Sequence, residues 1–132
     1  MFYKKLKSLS RLKKSSLCVG LDDPDEDQRV ERVCSIIDQT ETHAICFKLN
    51  PAFYHGNEKH IKAITDYMNK RDLLWIYDGK LGDVPHTNDQ YAKYVYDDLG
   101  ASAMTVHPYC GYEALTHLMR KDKGIFVLAR TT

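Results

Sequence analysis

The sequence predicts an α/β fold built on a parallel sheet, and three observations support it. Short apolar segments of strand length alternate with longer segments whose apolar residues recur at helical spacing. The strand-like segments recur roughly every 25 to 30 residues, a period typical of units in which a helix crosses between parallel strands. Charged residues collect where the apolar segments end. We therefore expect one parallel sheet with polar groups gathered at one of its edges.

The first predicted element is an amphipathic helix within residues 1–14. Apolar residues recur there at spacings of three and four, at Phe2, Leu6, Leu9 and Leu12. The positions between them are rich in lysine and arginine, which we expect to face water. The segment contains no apolar run typical of a signal peptide, so we expect it to pack on the domain.

Five strands and four connecting helices follow. The strands are predicted at residues 17–22, at 44–50, in the segment that begins at Leu73, at 103–107 and at 124–130. The helices are indicated by apolar stripes at Val30, Val33, Ile36 and Ile37, at Ile61, Ile64, Tyr67 and Met68, from about Thr87 to Leu99, and at Ala114, Leu115, Leu118 and Met119. Gly100 is expected to end the third of these helices.

The strand period alone suits a doubly wound sheet or a barrel, and the strand ends decide between them. Polar groups follow successive strands at Asp22, Lys48, Asp78, Lys80 and His107, and barrel enzymes gather their chemistry at the carboxyl ends of the strands. No glycine-rich dinucleotide turn follows the first strand. We therefore predict a parallel (β/α)8 TIM-type barrel, of which residues 1–132 form a single partial domain with about the first five strands.

Composition excludes several classes of protein. A net charge of +1 gives no field that would favour nucleic acid as the main partner. No apolar stretch has the length of a membrane span, so no membrane association is expected. The four cysteines form no C-x-x-C pair, and Cys18 and Cys46 lie in apolar segments where we expect them in the core. This pattern favours a reducing, cytoplasmic location.

The segment around Asp78 carries the most chemistry. Side chains alternate faces along a strand, so Asp78 and Lys80 are expected on one face, with Asp83 just beyond in a turn that contains Gly82. An ammonium between two carboxylates is a positioned proton donor. Lys48, at the end of the preceding strand, extends the set to Lys48, Asp78, Lys80 and Asp83. An ordinary exposed ion pair at a strand end is the structural alternative.

Several motifs in order resemble the orotidine 5'-phosphate decarboxylase family, particularly its longer bacterial subgroup. The motifs are Phe2 with Lys4-Lys5-Leu6, Leu17-Cys18-Val19-Gly20-Leu21-Asp22, Cys46-Phe47-Lys48-Leu49-Asn50 with Ala52-Phe53-Tyr54, Asp78-x-Lys80-x-x-Asp83-Val84-x-x-Thr87, Thr105-Val106-His107-Pro108-Tyr109 with Gly111, and Phe126-Val127-Leu128-Ala129-Arg130-Thr131. The resemblance covers essentially the whole chain. The family usually has arginine at the position of Leu81 and asparagine at that of His107.

The resemblance implies decarboxylation of orotidine 5'-phosphate to UMP in pyrimidine synthesis, without a metal or an organic cofactor. Lys48 would hydrogen-bond the ribose and Asp78, and Asp78 would lie beside the scissile carboxylate. Lys80 would protonate C6 of the pyrimidine as carbon dioxide leaves. Asp83 and Thr87 would reach the active site of the neighbouring subunit in a homodimer.

The resemblance also implies further contacts with the nucleotide. Asp22 would contact the ribose, and Asn50, Thr87 and Thr131 are the remaining substrate-binding candidates. Each residue has a structural alternative as well: Asp22 as the cap of a loop, Lys48 as a lysine whose stem is buried and whose ammonium is in water, and Thr87 as a helix N-cap.

The sequence is compatible with two alternative functions. One is an Mg²⁺-dependent lyase or decarboxylase of the same superfamily that acts on a sugar phosphate, although Lys48 argues against a metal ligand at that strand end. The other is a truncated, non-catalytic remnant that serves in dimerisation. Phosphate sites in barrels commonly lie in the loops after strands 7 and 8, which five strands would not include.

Overall fold

The computed structural model describes residues 1–130, in which five parallel strands form one sheet. The strands are β1 (Cys18–Gly20), β2 (Cys46–Leu49), β3 (Trp75–Leu81), β4 (Ala103–Val106) and β5 (Gly124–Val127). They lie side by side in chain order, and every neighbouring pair is parallel. This order confirms the predicted fold class, since each strand is added beside the previous one through a connecting helix.

Within residues 1–130, five α-helices accompany the strands, together with one 3₁₀ and one π-helical segment. The helices are α1 (Phe2–Lys13), α2 (Arg29–Thr40), α3 (Glu58–Lys70), α4 (Pro85–Ala92) and α5 (Gly111–Thr116). A 3₁₀ helix spans Pro51–Tyr54, and a π-helical segment, Lys93–Asp98, continues α4. No helix in residues 1–130 is both long enough and apolar enough to cross a membrane.

The two faces of the sheet are packed differently. One face meets the helices after β1 to β4, where Phe47, Leu49, Trp75 and Met104 join the large core that also contains the apolar stripes of α2 and α3. A smaller cluster around Phe2 contains Ile45, Cys46, Leu74, Ile76 and Ala103, and its strand residues Cys46, Ile76 and Ala103 lie on the other face, which we call the inner face. Helix α1 therefore covers the inner face near the amino ends of the strands.

Two apolar side chains expected in the core are exposed. Cys18 is exposed because β1 lies at the edge of the sheet and pairs with β2 alone among the described strands, whereas its register partner Cys46 is buried as predicted. Leu12 is 79% exposed, since the last turn of α1 is held instead by Lys13, whose ammonium donates a hydrogen bond to the carbonyl of Ala44 at 2.8 Å.

The helix predicted to end before Gly100 does so, although its second half is not α-helical. Gly100 has φ +79°, a left-handed conformation that favours glycine after a helix. A Cβ at this position would also lie 2.6 Å from Asn69 Nδ2, which donates a hydrogen bond to the Leu99 carbonyl at 2.8 Å. The π-helical turn before it buries Val95 and Tyr96, so packing rather than local spacing sets its geometry.

Candidate active site

The site lies at the carboxyl ends of β2 and β3, on the same face as Cys46 and Ile76. Lys48 follows Cys46 by two residues, and Asp78 follows Ile76 by two, so strand alternation brings both side chains to the inner face. The Lys48 ammonium donates to Asp78 Oδ2 at 2.7 Å. The Lys80 ammonium donates to Asp78 Oδ1, also at 2.7 Å. One carboxylate therefore lies between two lysines, as the strand spacing predicts.

Asp22 joins this group from β1. Its Oδ2 lies 3.6 Å from the Lys48 ammonium, and its Oδ1 accepts a hydrogen bond from the Asn50 backbone N–H at 3.2 Å. Its partners thus belong to β2 and to Asn50, the residue that begins the loop after β2. Three successive strand ends contribute charged groups to one place.

The regular pairing of β3 with β4 is interrupted near Lys80. Tyr77 pairs with Met104 and Leu81 with Val106, so β3 advances four residues while β4 advances two. This irregularity in the strand register places Lys80 at φ +48°, in the left-handed region that non-glycine residues seldom adopt. Asp78 and Lys80 still share a side of the sheet, but through a bulge rather than through simple alternation.

Thr105 of β4 is a member of the site that the sequence analysis missed. Its hydroxyl donates to Asp78 Oδ1 at 2.8 Å and accepts the Lys80 backbone N–H at 2.9 Å. The available signal was register: Ile76 pairs with Ala103, and two residues further on each strand come Asp78 and Thr105. A buried carboxylate at a strand end needs such donors from its neighbours.

The electrostatics follow from these contacts. Burial alone would raise the pKa of Asp78, but hydrogen bonds from Lys48, Lys80 and Thr105 outweigh it and lower that pKa to about 2. Burial would likewise lower the pKa of Lys48, but its bond to Asp78 and the charges of Asp78 and Asp22 raise it. The Asp78 side chain is only 9% exposed, so an ordinary solvated ion pair does not describe this site.

In the part of the chain that the structure describes, the side chains of Asp83 and Thr87 form no hydrogen bond or ion pair with this cluster. Among residues 1–130, the Asp83 carboxylate accepts a hydrogen bond from the Val84 N–H, at 2.6 Å, and forms no ion pair with either lysine. The N-cap of α4 is Val84, which makes Thr87 the third residue of the helix, so its interpretation as an N-cap is wrong. The structure thus brings together three of the four predicted catalytic residues within one chain.

The remaining substrate-binding candidates differ in position. Asn50 lies beside the site, where its side chain caps the 3₁₀ helix by accepting the Ala52 N–H at 3.0 Å. Thr131 lies outside the described residues. His107 packs against the loop after β3, because a Cβ at Gly82 would come within 2.5 Å of its ring and because its own N–H donates to the Leu81 carbonyl.

Two buried polar side chains that the sequence analysis did not single out hold the loops of the site. Arg29 is 1% exposed, donates to the carbonyls of Pro24 and Asp25 at 3.2 Å, and stacks over Tyr54 at 5.1 Å from the ring centroid. It thereby fixes the loop that follows Asp22. No apolar pattern marks an arginine as buried, so spacing could not reveal it.

Asn88 does the same for the loop that carries Asp83. It is 1% exposed, and its Nδ2 donates to the carbonyls of Asp83 and Ala114, each at 2.8 Å. This amide ties the start of α4 to α5. Within residues 1–130, no group of three or more histidine, cysteine, aspartate or glutamate side chains is arranged to hold a metal ion.

Parallel strands with interleaved helices and charged groups at their carboxyl ends define a β/α-barrel scaffold of the kind that carries enzyme sites. The chain belongs to the Orotidine 5'-phosphate decarboxylase / HUMPS family, whose model matches residues 15–132. The family that the motifs resemble is thereby confirmed.

Individual relatives agree with this assignment. The orotidine 5'-phosphate decarboxylase of Natronomonas pharaonis is 37% identical over 132 residues, which cover 89% of this chain and 49% of that protein. That of Dehalococcoides mccartyi is 37% identical over 141 residues, covering 99% and 52%. The chain thus spans about half the length of the curated relatives it matches.

Solved structures place the fold in the same family. Leishmania donovani UMP synthase matches with a TM-score of 0.90 and 31% identity, over 99% of this chain and 30% of that one. Leishmania donovani OMP decarboxylase matches with a TM-score of 0.89 and 32% identity, over 99% and 54%. The five strands therefore correspond to part of a barrel, as predicted.

Proposed function

We propose that this protein takes part in the cofactor-independent decarboxylation of orotidine 5'-phosphate to UMP, in the cytoplasm and as a homodimer. The observation that supports this most strongly is the Lys48-Asp78-Lys80 cluster, in which one buried carboxylate accepts hydrogen bonds from two ammonium groups at 2.7 Å. Family membership and the names of the relatives support the choice of substrate.

The cluster suits a reaction that generates negative charge on carbon. When the bond between C6 and the carboxylate breaks, carbon dioxide leaves and the electron pair stays on C6. Positive charges that are fixed before the substrate binds stabilise such a carbanion without reorganisation. Lys48 and Lys80 meet this condition, because Asp78 holds both ammonium groups in place.

Lys80 is the proton donor in this proposal. Its side chain is 51% exposed whereas that of Lys48 is 32% exposed, so its ammonium is the one that a bound nucleotide reaches more readily. Transfer of one proton from Lys80 to C6 gives UMP, and solvent then reprotonates the amine. The overall reaction consumes one proton and releases one carbon dioxide.

The remaining roles are proposed from the family resemblance, and for Asp22 and Asn50 position supports them. Asp22 and Asn50 lie on the β1 and β2 side of Lys48, where they would bind the ribose. Thr131 is proposed to bind the nucleotide as well. Asp83 and Thr87 are proposed to complete the site of the neighbouring subunit, which accounts for the separation of Asp83 from the two lysines of its own chain.

A turnover assay tests this function. Purified protein is mixed with orotidine 5'-phosphate, and loss of substrate is followed with and without EDTA. We expect turnover that EDTA leaves unchanged and that Lys80→Met lowers by about 10²- to 10⁴-fold, as for loss of a general acid. Lys62→Met is the matched control, because Lys62 forms an exposed pair with Asp66 on α3.

The two alternatives give different results in the same assay. Activity abolished by EDTA would replace this proposal with a metal-dependent lyase. A folded protein that neither turns over the substrate nor binds UMP would indicate a non-catalytic dimerisation module.

A further inference from the structure

We propose that Thr105 is a positioning residue of the decarboxylation site, whose hydroxyl ties the carboxylate of Asp78 to the backbone of Lys80. The functional part of this inference rests on the proposed function, whereas the link itself is a property of the fold. Thr105 belongs to β4, a strand that contributes none of the predicted catalytic residues.

The first argument is that one hydroxyl both donates and accepts a hydrogen bond within the site. A threonine hydroxyl has a single O–H to donate and two lone pairs to accept with. Thr105 donates to Asp78 Oδ1 at 2.8 Å and accepts the Lys80 N–H at 2.9 Å. The same Asp78 oxygen accepts the Lys80 ammonium at 2.7 Å. The hydroxyl, the carboxylate and both ends of Lys80 therefore form one closed ring of contacts.

The second argument is the bulge in β3. Because β3 advances four residues against two of β4 between Tyr77 and Leu81, the residues between them leave the regular ladder of backbone hydrogen bonds. The Lys80 N–H then requires another acceptor. Thr105 supplies it from the neighbouring strand, at the residue whose backbone has φ +48°.

The consequence concerns the direction of the Lys80 side chain. A left-handed residue persists where the surrounding structure holds it, and such residues concentrate at functional sites. The backbone conformation of Lys80 determines the direction of its side chain. A hydroxyl that holds this backbone therefore also orients the ammonium of the proposed proton donor. The hydroxyl additionally keeps Asp78 ionised, in agreement with the pKa of about 2 for that carboxyl.

Two substitutions separate the hydroxyl from the shape of the side chain. Thr105→Val keeps the branched shape and removes the hydroxyl, whereas Thr105→Ser keeps the hydroxyl. Thr65→Val is the matched control, because Thr65 is a buried threonine of α3 whose hydroxyl bonds to the Lys62 carbonyl, away from the site.

The first measurement is amide hydrogen exchange of the ligand-free protein at neutral pH. We expect the Lys80 amide to exchange at least about tenfold faster in Thr105→Val than in the wild-type protein, and to be unchanged in Thr105→Ser and Thr65→Val. The His107 amide, which donates to the Leu81 carbonyl between the same two strands at 2.9 Å, serves as the internal reference. An unchanged Lys80 amide, or equal acceleration at His107, would overturn the proposal.

The second measurement is the split between kcat and KM for orotidine 5'-phosphate. Misdirection of the proton donor is expected to lower kcat about tenfold in Thr105→Val while KM changes by less than about twofold, with recovery in Thr105→Ser. A rise in KM alone would contradict a positioning role. Absence of turnover in the wild-type protein would count against the proposed function, and the exchange experiment would still decide whether Thr105 holds Lys80.

Discussion

Asp78 and Asp83 belong to one short segment, yet their surroundings are opposite. Asp78 accepts hydrogen bonds from Lys48 and Thr105 of the two neighbouring strands and from Lys80 of its own strand. The Asp83 carboxylate, among residues 1–130, accepts one from its neighbour Val84. The difference shows that the strands bring three residues of the predicted tetrad together inside one chain, whereas Asp83, at the start of α4, makes no ion pair with them.

The largest expected effect tests whether Asp83 acts in a second subunit. Lys80→Ala and Asp83→Ala should each lose most of the turnover, because each removes a charged group from every site. If the sites are shared, a mixed dimer of the two variants contains one site with both residues intact. We expect equal mixing after reversible dissociation to restore about a quarter of wild-type turnover, from random pairing in a symmetric dimer.

The control for this experiment mixes each inactive variant with itself, which should restore nothing. If the Lys80→Ala and Asp83→Ala mixture shows no recovery, although mass-tagged chains show that subunits exchange, each site takes both residues from the same chain. The contrast between Asp78 and Asp83 would then require a movement of the loop after β3 within a single chain.

A smaller effect concerns the free energy of unfolding at acidic pH and tests the surroundings of Asp78. The folded pKa of Asp78, about 2, lies below the usual value of 3.8, so its contribution is present above about pH 4 and is lost as the pH falls toward 2. The shift corresponds to about 2 kcal/mol, roughly half of which is lost by pH 3. Urea unfolding of the wild-type protein and Asp78→Asn should show their difference in free energy of unfolding narrowing by about 1 kcal/mol between pH 6 and pH 3.

Asp66→Asn is the matched control for this measurement, since it removes a carboxylate from the exposed pair with Lys62. Its difference from the wild-type protein should stay nearly constant over the same pH range, because exposed pairs contribute little. A constant difference for Asp78→Asn as well would mean that the three hydrogen bonds do not favour the charged carboxylate.

The same contrast explains which parts of the site the sequence could predict. Strand alternation is a property of the local chain, so the positions of Lys48 and Asp78 follow from spacing once the strands are recognised, whereas Lys80 reaches the same side through the bulge in β3. Thr105 required the register of β4 against β3, and that register is irregular because β3 bulges. The sequence also predicts the order of strands and helices, since apolar period and connection length are local as well.

The features that the sequence did not predict share a physical cause. Arg29 and Asn88 are 1% exposed and donate to backbone carbonyls of the loops just before their helices and, for Asn88, of α5; no periodicity of their own helices indicates those partners. Cys18 was expected in the core, but burial of an edge strand depends on what lies beside it rather than on its own composition. Local patterns therefore predict elements and strand ends, while contacts between loops need the fold.

The smallest effect tests how the Asp83 loop is held. Asn88→Ala removes the two hydrogen bonds to the carbonyls of Asp83 and Ala114, of which the Ala114 carbonyl keeps a second donor, the His117 N–H. Loss of these bonds should lower the free energy of unfolding by about 1 to 2 kcal/mol in urea titrations. Asn57→Ala is the control, because the Asn57 side chain forms no capping hydrogen bond at the start of α3, so its loss should lower the free energy of unfolding by less.

Subunit mixing tests whether Asn88 serves Asp83 and not only the packing of α4 on α5. If it does, Asn88→Ala should lose turnover and regain it when mixed with Lys80→Ala. Recovery with unchanged stability would separate the two roles, whereas a stability loss without any recovery would assign Asn88 to packing alone and leave Asp83 to be positioned by the partner.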